Sequence, residues 1–111
     1  MTRIDRSKDI IEIHVQSGKI KCKYKSDGSS ADTHEASRGE YVRWSCADGN
    51  YTIVFGMHTP FANPTYSKKK NELLSIPVDL RAKRRETFKY SVVVERGVND
   101  HVVRDPEIVI D

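Results

Sequence analysis

The stretch "IIEIHVQSGKIKCKY", residues 10–24, decides the fold class. Apolar and polar side chains alternate along it, and a period of two is typical of β-strands with one buried face. The residues QSG interrupt the alternation and predict a turn between two antiparallel strands. The apolar face of this hairpin comprises Ile11, Ile13, Val15, Ile20, Cys22 and Tyr24.

Five further segments show the same alternation. They are EYVRWSC (40–46), YTIVF (51–55), LLSIPVDL (73–80), TFKYSVVVE (87–95) and DPEIVID (105–111). The ADGN turn between the first two predicts a second hairpin, because Asp-Gly is a strong hairpin signal. Pro77 predicts an edge strand, since proline cannot donate a ladder hydrogen bond. The predicted inward residues are Val42, Trp44, Cys46, Tyr51, Ile53, Phe55, Leu74, Ile76, Val78, Phe88, Tyr90, Val92, Val94, Ile108 and Ile110.

Three stretches lack this pattern and are predicted to be irregular loops: 25–39, 56–72 and 79–86. The first has no large apolar residue and is expected to be mobile, and RAKRRE (81–86) is expected to form at most one helical turn. About seven short strands without a long helix predict an all-β fold, either a two-sheet β-sandwich or a barrel. We expect a single domain over residues 10–111, preceded by a flexible N-terminus over residues 1–9.

Length and composition limit the classes of function. The chain has 111 residues, of which 37% are hydrophobic and 32% charged, which is typical of one soluble domain with one core. Its apolar runs are too short to span a membrane, and its first fifteen residues carry charges where a signal peptide needs an apolar segment, so we expect a cytoplasmic protein. Two cysteines in a reducing compartment predict neither a disulfide nor a structural zinc site.

The order of these features resembles the cupredoxin-like fold. GEYVRWSCADGNYTIVF (39–55) is similar to the family's paired strands around G-x-x-V-x-W…H-x-V-x-F. FKYSVVV (88–94) and DPEIVID (105–111) are similar to its last two strands. The resemblance covers residues 10–111 and implies a Greek-key arrangement of two sheets.

The family's copper ligands are missing at the positions that the resemblance implies. Its first histidine falls on Asn50 or Tyr51, and the loop RGVNDHVVRDP (96–106), which should carry Cys, His and Met, offers only His101. Cys46 lies in the wrong strand. Met57 and His58 are adjacent rather than spaced, whereas type-1 copper needs two imidazoles and a thiolate converging in one plane. We therefore predict no copper site, no metal site and no cofactor.

Catalytic motifs are equally absent from the sequence. There is no G-x-S-x-G nucleophile turn, no histidine in a recognisable relation to Cys46 and no carboxylate pair flanked by apolar residues. The six glycines are scattered singly, so they form no phosphate-binding loop. We predict no catalytic residues and no enzyme.

Two basic clusters, SKKKNE (67–72) and LRAKRRE (80–86), are the remaining candidates for binding. They could neutralise phosphates while Tyr66 and Phe61 stack on bases, but each contains an acidic residue and the net charge is only +3, which favours solvated loop charge. We expect Phe61 either to pack into the end of the sandwich or to form an exposed apolar contact for a partner. The candidate binding residues are Phe61, Lys68, Lys69, Lys70, Arg81, Lys83, Arg84 and Arg85.

These observations favour a non-enzymatic protein-interaction module that acts through its three long loops. Its partner would be another protein, with no membrane involved. The alternative is a weak nucleic-acid or anion binder that uses the basic loops, and a metal protein or an enzyme is the least favoured reading. The sequence makes no prediction of the oligomeric state.

Overall fold

The computed structural model describes residues 5–97 and 100–111. Within these residues the chain forms eleven strands and no helix, which confirms the all-β class. The strands are β1 (Ile10–Gln16), β2 (Lys19–Tyr24), β3 (Thr33–Ala36), β4 (Tyr41–Cys46), β5 (Asn50–Val54), β6 (Thr65–Lys68), β7 (Leu74–Pro77), β8 (Thr87–Lys89), β9 (Ser91–Gly97), β10 (Asp100–Arg104) and β11 (Glu107–Ile110).

The strands form three hydrogen-bonded sheets. The first has the order β2-β1-β4-β7, the second β10-β9-β5-β6 and the third β3-β11-β8. Two pairs are parallel, β1 with β4 and β3 with β11, and the other pairs are antiparallel. Pro77 lies in β7 at the edge of the first sheet, as predicted.

The second and third sheets continue one another. Tyr90 alone separates β8 from β9, and Asp105 and Pro106 alone separate β10 from β11. The backbone N–H of Tyr90 donates to the carbonyl of Pro106 at 3.0 Å and bridges the two ladders. The segments 87–97 and 100–110 therefore run as one long antiparallel pair with a local break.

One apolar core is built from side chains of all three sheets. Trp44 of β4 is fully buried, and its ring meets Phe61 and Tyr90 edge-on with centroids 5.9 and 5.7 Å apart. Its indole N–H donates to the hydroxyl of Tyr90 at 3.3 Å, so the polar atoms of both large rings are satisfied inside the core. Every predicted inward residue is buried except Val15, which is partly buried and packs against the core.

The first predicted hairpin is confirmed, but the second is wrong. Strand β1 pairs antiparallel with β2, with Ile13 opposite Cys22. Strands β4 and β5 do not pair: β4 lies between β1 and β7, and β5 lies between β9 and β6. The turn at 47–49 instead carries the chain from the first sheet to the second, and both strands bury their apolar faces in the same core.

Gly49 permits this crossing. A Cβ atom on it would overlap the carbonyl oxygen of Glu95 in β9 and lie 3.3 Å from Cγ1 of Val94. The side chain of the neighbouring Asp48 accepts a hydrogen bond from the N–H of Val15 at 2.8 Å, which fastens the turn to the end of β1. The Asp-Gly pair therefore shapes a crossing between sheets rather than a hairpin turn.

Three predicted loops contain short strands. The stretch 25–39 contains β3, 56–72 contains β6, and 96–106 contains β10, while RAKRRE forms turns rather than a helix. In β3 the buried residues are His34 and Ala36, so the strand shows no alternation of large apolar side chains. The long predicted strand 87–95 is split at Tyr90. These differences account for eleven observed strands where the pattern predicts about seven.

Candidate binding surface

Phe61 is a core residue in this structure. Its side chain is 3% exposed and packs edge-on against Trp44, Phe55 and Tyr66, with ring centroids 5.2 to 6.2 Å apart. The backbone N–H of Phe61 donates a hydrogen bond to the hydroxyl of Thr59 at 3.1 Å. Of the two alternatives predicted for Phe61, the structure therefore supports packing of the ring into the core. The ring is not exposed, so it is not available for stacking on a base.

The two basic clusters lie at opposite ends of the first sheet. The N–H of Asn71 donates to the carbonyl of Cys46, at the end of β4, whereas the N–H of Val78 donates to Glu40, just before its start. Six extended residues separate those two points, a distance of about 20 Å. The structure therefore does not combine the seven predicted cations into one continuous surface.

The first cluster, Lys68 to Lys70, is interleaved with acidic side chains. A carboxylate oxygen of Glu72 accepts from the N–H of Lys69 at 2.9 Å, and the side-chain oxygen of Asn50 accepts from the N–H of Lys70 at the same distance. An open cavity of about 440 Å³ beside Lys68 and Lys69 is also lined by Glu72 and Glu95. This mixture of charges favours the reading as a solvated loop.

The second cluster is held in one conformation by its backbone. Ala82 is buried, and its carbonyl accepts a hydrogen bond from Nε of Arg38 at 2.7 Å. Arg85 adopts a left-handed backbone conformation (φ 61°), and its N–H donates to the carbonyl of Ile110 at 2.6 Å. Five exposed cations meet at this end of the molecule: Arg38, Arg81, Lys83, Arg84 and Arg85.

Apolar side chains lie exposed beside this cluster. Leu80 is 72% exposed, and its Cδ2 is 3.3 Å from where a Cβ of Gly39 would be. Tyr41, which is 50% exposed, pairs across the strands with the exposed Pro77, and the guanidinium of Arg43 is 5.8 Å from its ring centroid. We call Leu80, Tyr41, Pro77 and the flanking Arg38, Arg43 and Arg81 the Leu80 surface.

Sequence reasoning found only part of this surface. Arg81 belongs to a basic run that the sequence displays directly. Arg38 and Tyr41 were missed because they lie about forty residues from that run in the sequence and meet it only through the pairing of β4 with the segment 76–78. The alternation of YVRWSC does place Tyr41 on the outer face, and an outward tyrosine is the signal that could have found it.

The two thiols are core side chains on one face of the first sheet. Cys22 and Cys46 both lie opposite Ile13, on the strands that flank β1, so about 10 Å separates their Cα atoms. A disulfide needs less than about 7 Å, so an intramolecular bond between them is geometrically excluded. Burial raises the pKa of Cys22 to about 12 and also raises the pKa of Cys46. Neither is therefore a ready nucleophile or metal ligand.

The histidines and methionine of the predicted loops do not converge. Met57 is fully exposed beyond one end of β5, whereas Cys46 precedes its other end. His58 stacks on Phe88 at 4.4 Å, and buried His34 is hydrogen-bonded through Nδ1 to the hydroxyl of Tyr24 at 2.9 Å. Within the described parts of the chain, no group of three or more His, Cys, Asp or Glu side chains could hold a metal ion. The side chain of His101 lies outside the described residues.

Arg6 fastens the N-terminal segment to the body of the protein, a contact that sequence reasoning missed. Its guanidinium lies 4.1 Å from the centroid of the Tyr24 ring and donates to Asp9 at 3.0 Å and to Asp27 at 2.9 Å. The hydrogen bond from Arg6 holds the pKa of Asp27 well below its usual range. Residues 1–9 were predicted to be flexible; of these, residues 1–4 lie outside the described residues.

Comparisons with known proteins do not assign this chain to a family. No model of a known protein family matches this chain, and no curated protein matches it either. In residues 5–97 and 100–111 there is no helix long and apolar enough to span a membrane.

Proposed function

We propose that this chain is a cytoplasmic, non-enzymatic protein-interaction module that binds an acidic protein segment through the Leu80 surface. We further propose a cupredoxin-like two-sheet sandwich without copper as its framework. In this arrangement the first sheet forms one layer, and the second and third sheets together form the other.

The sandwich is supported by the continuity of the two smaller sheets and by the way in which the layers meet. At one lateral edge, Arg104 of β10 donates to both carboxylate oxygens of Asp32, at 2.6 and 3.2 Å. Asp32 follows directly on Ala31, whose N–H donates to the carbonyl of Cys22 in β2. One ion pair and a short backbone bridge thus link an edge strand of the first layer to an edge strand of the second.

The observation that carries the binding proposal is the exposure of Leu80 beside arginines. An exposed tyrosine next to arginine side chains has the composition of an interface centre, and Leu80 adds exposed apolar area beside them. The surface carries three arginines, of which Arg81 is paired with Asp79 at 3.6 Å, so its charge is positive on balance and a partner with carboxylates around an apolar side chain fits best. The loop 79–86, one of the three loops proposed for binding, contributes Leu80 and Arg81 to this surface.

A titration with synthetic peptides tests the proposal. The probes are a peptide in which glutamates flank a leucine and a tryptophan, and a second peptide in which lysines replace the glutamates. We expect amide shifts at residues 38–43 and 76–85 with the acidic peptide only, and binding that persists at moderate salt because apolar contacts contribute.

Two matched variants locate the surface. Leu80→Ser removes an exposed apolar side chain, and Arg81→Glu reverses a charge that has 93% of its side-chain area exposed, so neither disturbs the core. Each should weaken peptide binding about tenfold or more, the cost of one well-placed contact. Lys69→Glu, at the opposite end of the molecule, is the control and should leave it unchanged. Equal binding of both peptides, or an equal loss in the Lys69 variant, would contradict the proposal.

The nucleic-acid alternative has its own signature. Binding of a single-stranded oligonucleotide would fall steeply and linearly with the logarithm of the salt concentration. The separation of the two clusters limits any such contact to one end of the molecule, which favours the protein partner. Tighter binding of the oligonucleotide than of the acidic peptide at moderate salt would replace the protein-binding proposal with this one.

A further inference from the structure

The guanidinium of Arg6 is held by four hydrogen bonds from its two amino nitrogens. Nη1 donates to a carboxylate oxygen of Asp9 at 3.0 Å and to the hydroxyl of Ser26 at 3.2 Å. Nη2 donates to a carboxylate oxygen of Asp27 at 2.9 Å and to the hydroxyl of Ser29 at 3.1 Å. Both amino groups are thus paired in the planar fork that a guanidinium presents and that an ammonium group does not reproduce.

The two carboxylates are held in place by the body of the protein and do not depend on this guanidinium. Asp9, whose side chain is 8% exposed, accepts from the first N–H of β1 at 2.9 Å and from the hydroxyl of Ser26 at 2.6 Å. Asp27 accepts from the N–H and the hydroxyl of Ser29 at 3.0 and 2.7 Å. The acceptors are therefore preorganised for a guanidinium before one arrives.

The ring of Tyr24 forms the floor between them. Its centroid lies 4.1 Å from the guanidinium carbon of Arg6, a distance at which a cation is attracted to an aromatic face. The Tyr24 hydroxyl is hydrogen-bonded to Nδ1 of buried His34 at 2.9 Å, which fixes the orientation of the ring. The N–H of Gly28 donates to the carbonyl of Tyr24 at 2.8 Å and closes the turn beside it. The following five residues are called the guanidinium site: Asp9, Tyr24, Ser26, Asp27 and Ser29.

An acidic cavity of about 430 Å³ opens beside the guanidinium site. Arg6 and Tyr24 line it, so the two are continuous. Its other walls carry four acidic residues: Asp5, Glu35, Glu40 and Asp111. The chain as a whole has a net charge of +3, so this concentration of carboxylates is a local feature. It favours a ligand that carries positive charge beyond a single guanidinium.

The segment that supplies Arg6 is fastened by hydrogen bonds and not by apolar packing. Residues 5–8 read DRSK and contain no apolar side chain. Besides the contacts of Arg6, Nη1 of Arg43 donates to the carbonyl of Ser7 at 3.2 Å. Partly exposed ion pairs contribute little net stability, because water competes for both partners. An arginine from another molecule that makes the same contacts can therefore replace Arg6 without disturbing the core.

We infer that the guanidinium site binds an arginine side chain from a basic segment of another protein, and that Arg6 occupies it as an internal competitor. The acidic cavity takes a second cation next to that arginine. A short tether holds Arg6 at an effective concentration on the order of 1 mM, so a partner segment displaces it only by binding at least comparably well. The site consists of other residues than the Leu80 surface and takes a ligand of opposite charge, so the inference goes beyond the proposed function.

Peptide titrations of the full chain and of its Arg6→Ala variant, followed by amide chemical shifts, test the inference. The probe is a blocked tetrapeptide with an arginine and a lysine between two glycines, and its control has two lysines. We expect the variant to bind the arginine peptide with a dissociation constant on the order of 1 mM, and the wild type to bind it about tenfold more weakly because Arg6 competes. Shifts should concentrate at residues 24–29. The two-lysine peptide should bind the variant markedly more weakly, since an ammonium group does not fill the fork.

Lys8→Ala is the matched control, because it removes the same charge from an exposed residue of the same segment and leaves Arg6 in place. It should bind like the wild type. Arg6→Lys keeps the positive charge and serves as a second variant if the alanine variant fails to fold; it should also gain binding. Adding Asp27→Asn to either Arg6 variant should remove the gain, because one of the two carboxylates is then neutral.

Four outcomes would overturn the inference. They are no gain in either Arg6 variant, an equal gain in the Lys8 variant, equal binding of the two peptides, and a gain that survives Asp27→Asn. Leu80→Ser should weaken the acidic peptide of the proposed function and leave binding of the arginine peptide unchanged. The two sites can therefore fail independently.

Discussion

Replacing Gly49 with alanine tests the crossing from the first sheet to the second. The turn at 47–49 brings Gly49 against β9 so closely that a Cβ would overlap the carbonyl oxygen of Glu95, and the next contact, with its carbonyl carbon, would be 2.9 Å. Real Cβ atoms essentially never approach a backbone atom this closely, and neither the turn nor β9 is a flexible side chain that could move aside. Asp48 bonded to Val15 holds one side, and the ladder between β5 and β9 holds the other.

The cost follows from what has to move. Forcing a methyl group into a packed site costs typically about 1–3 kcal/mol. The pairing of Asn50 with Glu95 begins the ladder beside the clash, and losing one or two of its hydrogen bonds adds about 1 kcal/mol. We therefore expect Gly49→Ala to lower the free energy of unfolding by about 2–4 kcal/mol. For a domain of this size that lowers Tm by roughly 10–20 °C.

Urea unfolding followed by the fluorescence of the single tryptophan measures this change, because Trp44 is fully buried in the core. Gly97→Ala is the matched control: Gly97 ends β9, nothing stands within 4 Å of where its Cβ would be, and its φ is outside the left-handed region. It should stay within about 0.5 kcal/mol of the wild type. A loss of less than about 1 kcal/mol at Gly49 would refute the close approach of the turn to β9.

Other predictions follow from the thiols, the Arg6 contact, the core and the missing copper ligands. Cys22 and Cys46 should react with an aromatic disulfide reagent at pH 8 only after unfolding; prompt reaction of the native protein would contradict their burial. Asp27→Asn should lower Tm at pH 7, because the lowered pKa of Asp27 means that its pair with Arg6 stabilises the fold above about pH 4. This stabilisation is lost progressively as the pH falls from about 4 through the folded pKa, so a Tm difference that does not shrink below about pH 4 would refute it. Phe61→Ala should cost about 3–5 kcal/mol in urea unfolding, and a loss under about 1 kcal/mol would mean that the ring is not packed as described. Titration with Cu(II), Cu(I) and Zn(II), followed by absorbance, should show no stoichiometric complex, and one tightly bound equivalent would contradict the prediction of no metal site.

The sequence predicts which side chains face the core far better than it predicts which strands are neighbours. Alternation assigns Ile53 and Val92 to the buried side correctly, because burial of one face is a property of each strand alone. It cannot tell a hairpin from a crossing between two sheets. The ADGN turn therefore predicts pairing of β4 with β5 when the chain in fact changes sheets.

Alternation of apolar and polar residues does not predict short strands that are held in place by their neighbours. In β3 the buried residues are His34, satisfied by the hydroxyl of Tyr24, and Ala36, so neither supplies an apolar signal. The Leu80 surface was found only in part for a similar reason. Arg38 and Tyr41 belong to no motif in the sequence. They become part of this surface only because β4 pairs with the segment 76–78.

The placement of β11 has a consequence for the order in which the chain folds. This strand is central in its sheet, flanked by β3 and β8, and its pairing with β3 joins Glu107 to Thr33 across 74 positions of sequence. Contacts between such distant segments are slow to form, because the entropy of closing the intervening chain is lost before any pairing energy is gained. Until residues 107–110 arrive, β3 and β8 have no common neighbour to hold them. The hairpin of β1 and β2 can form early, whereas closure of the third sheet must come late, on the millisecond-to-second timescale of proteins rich in non-local pairing.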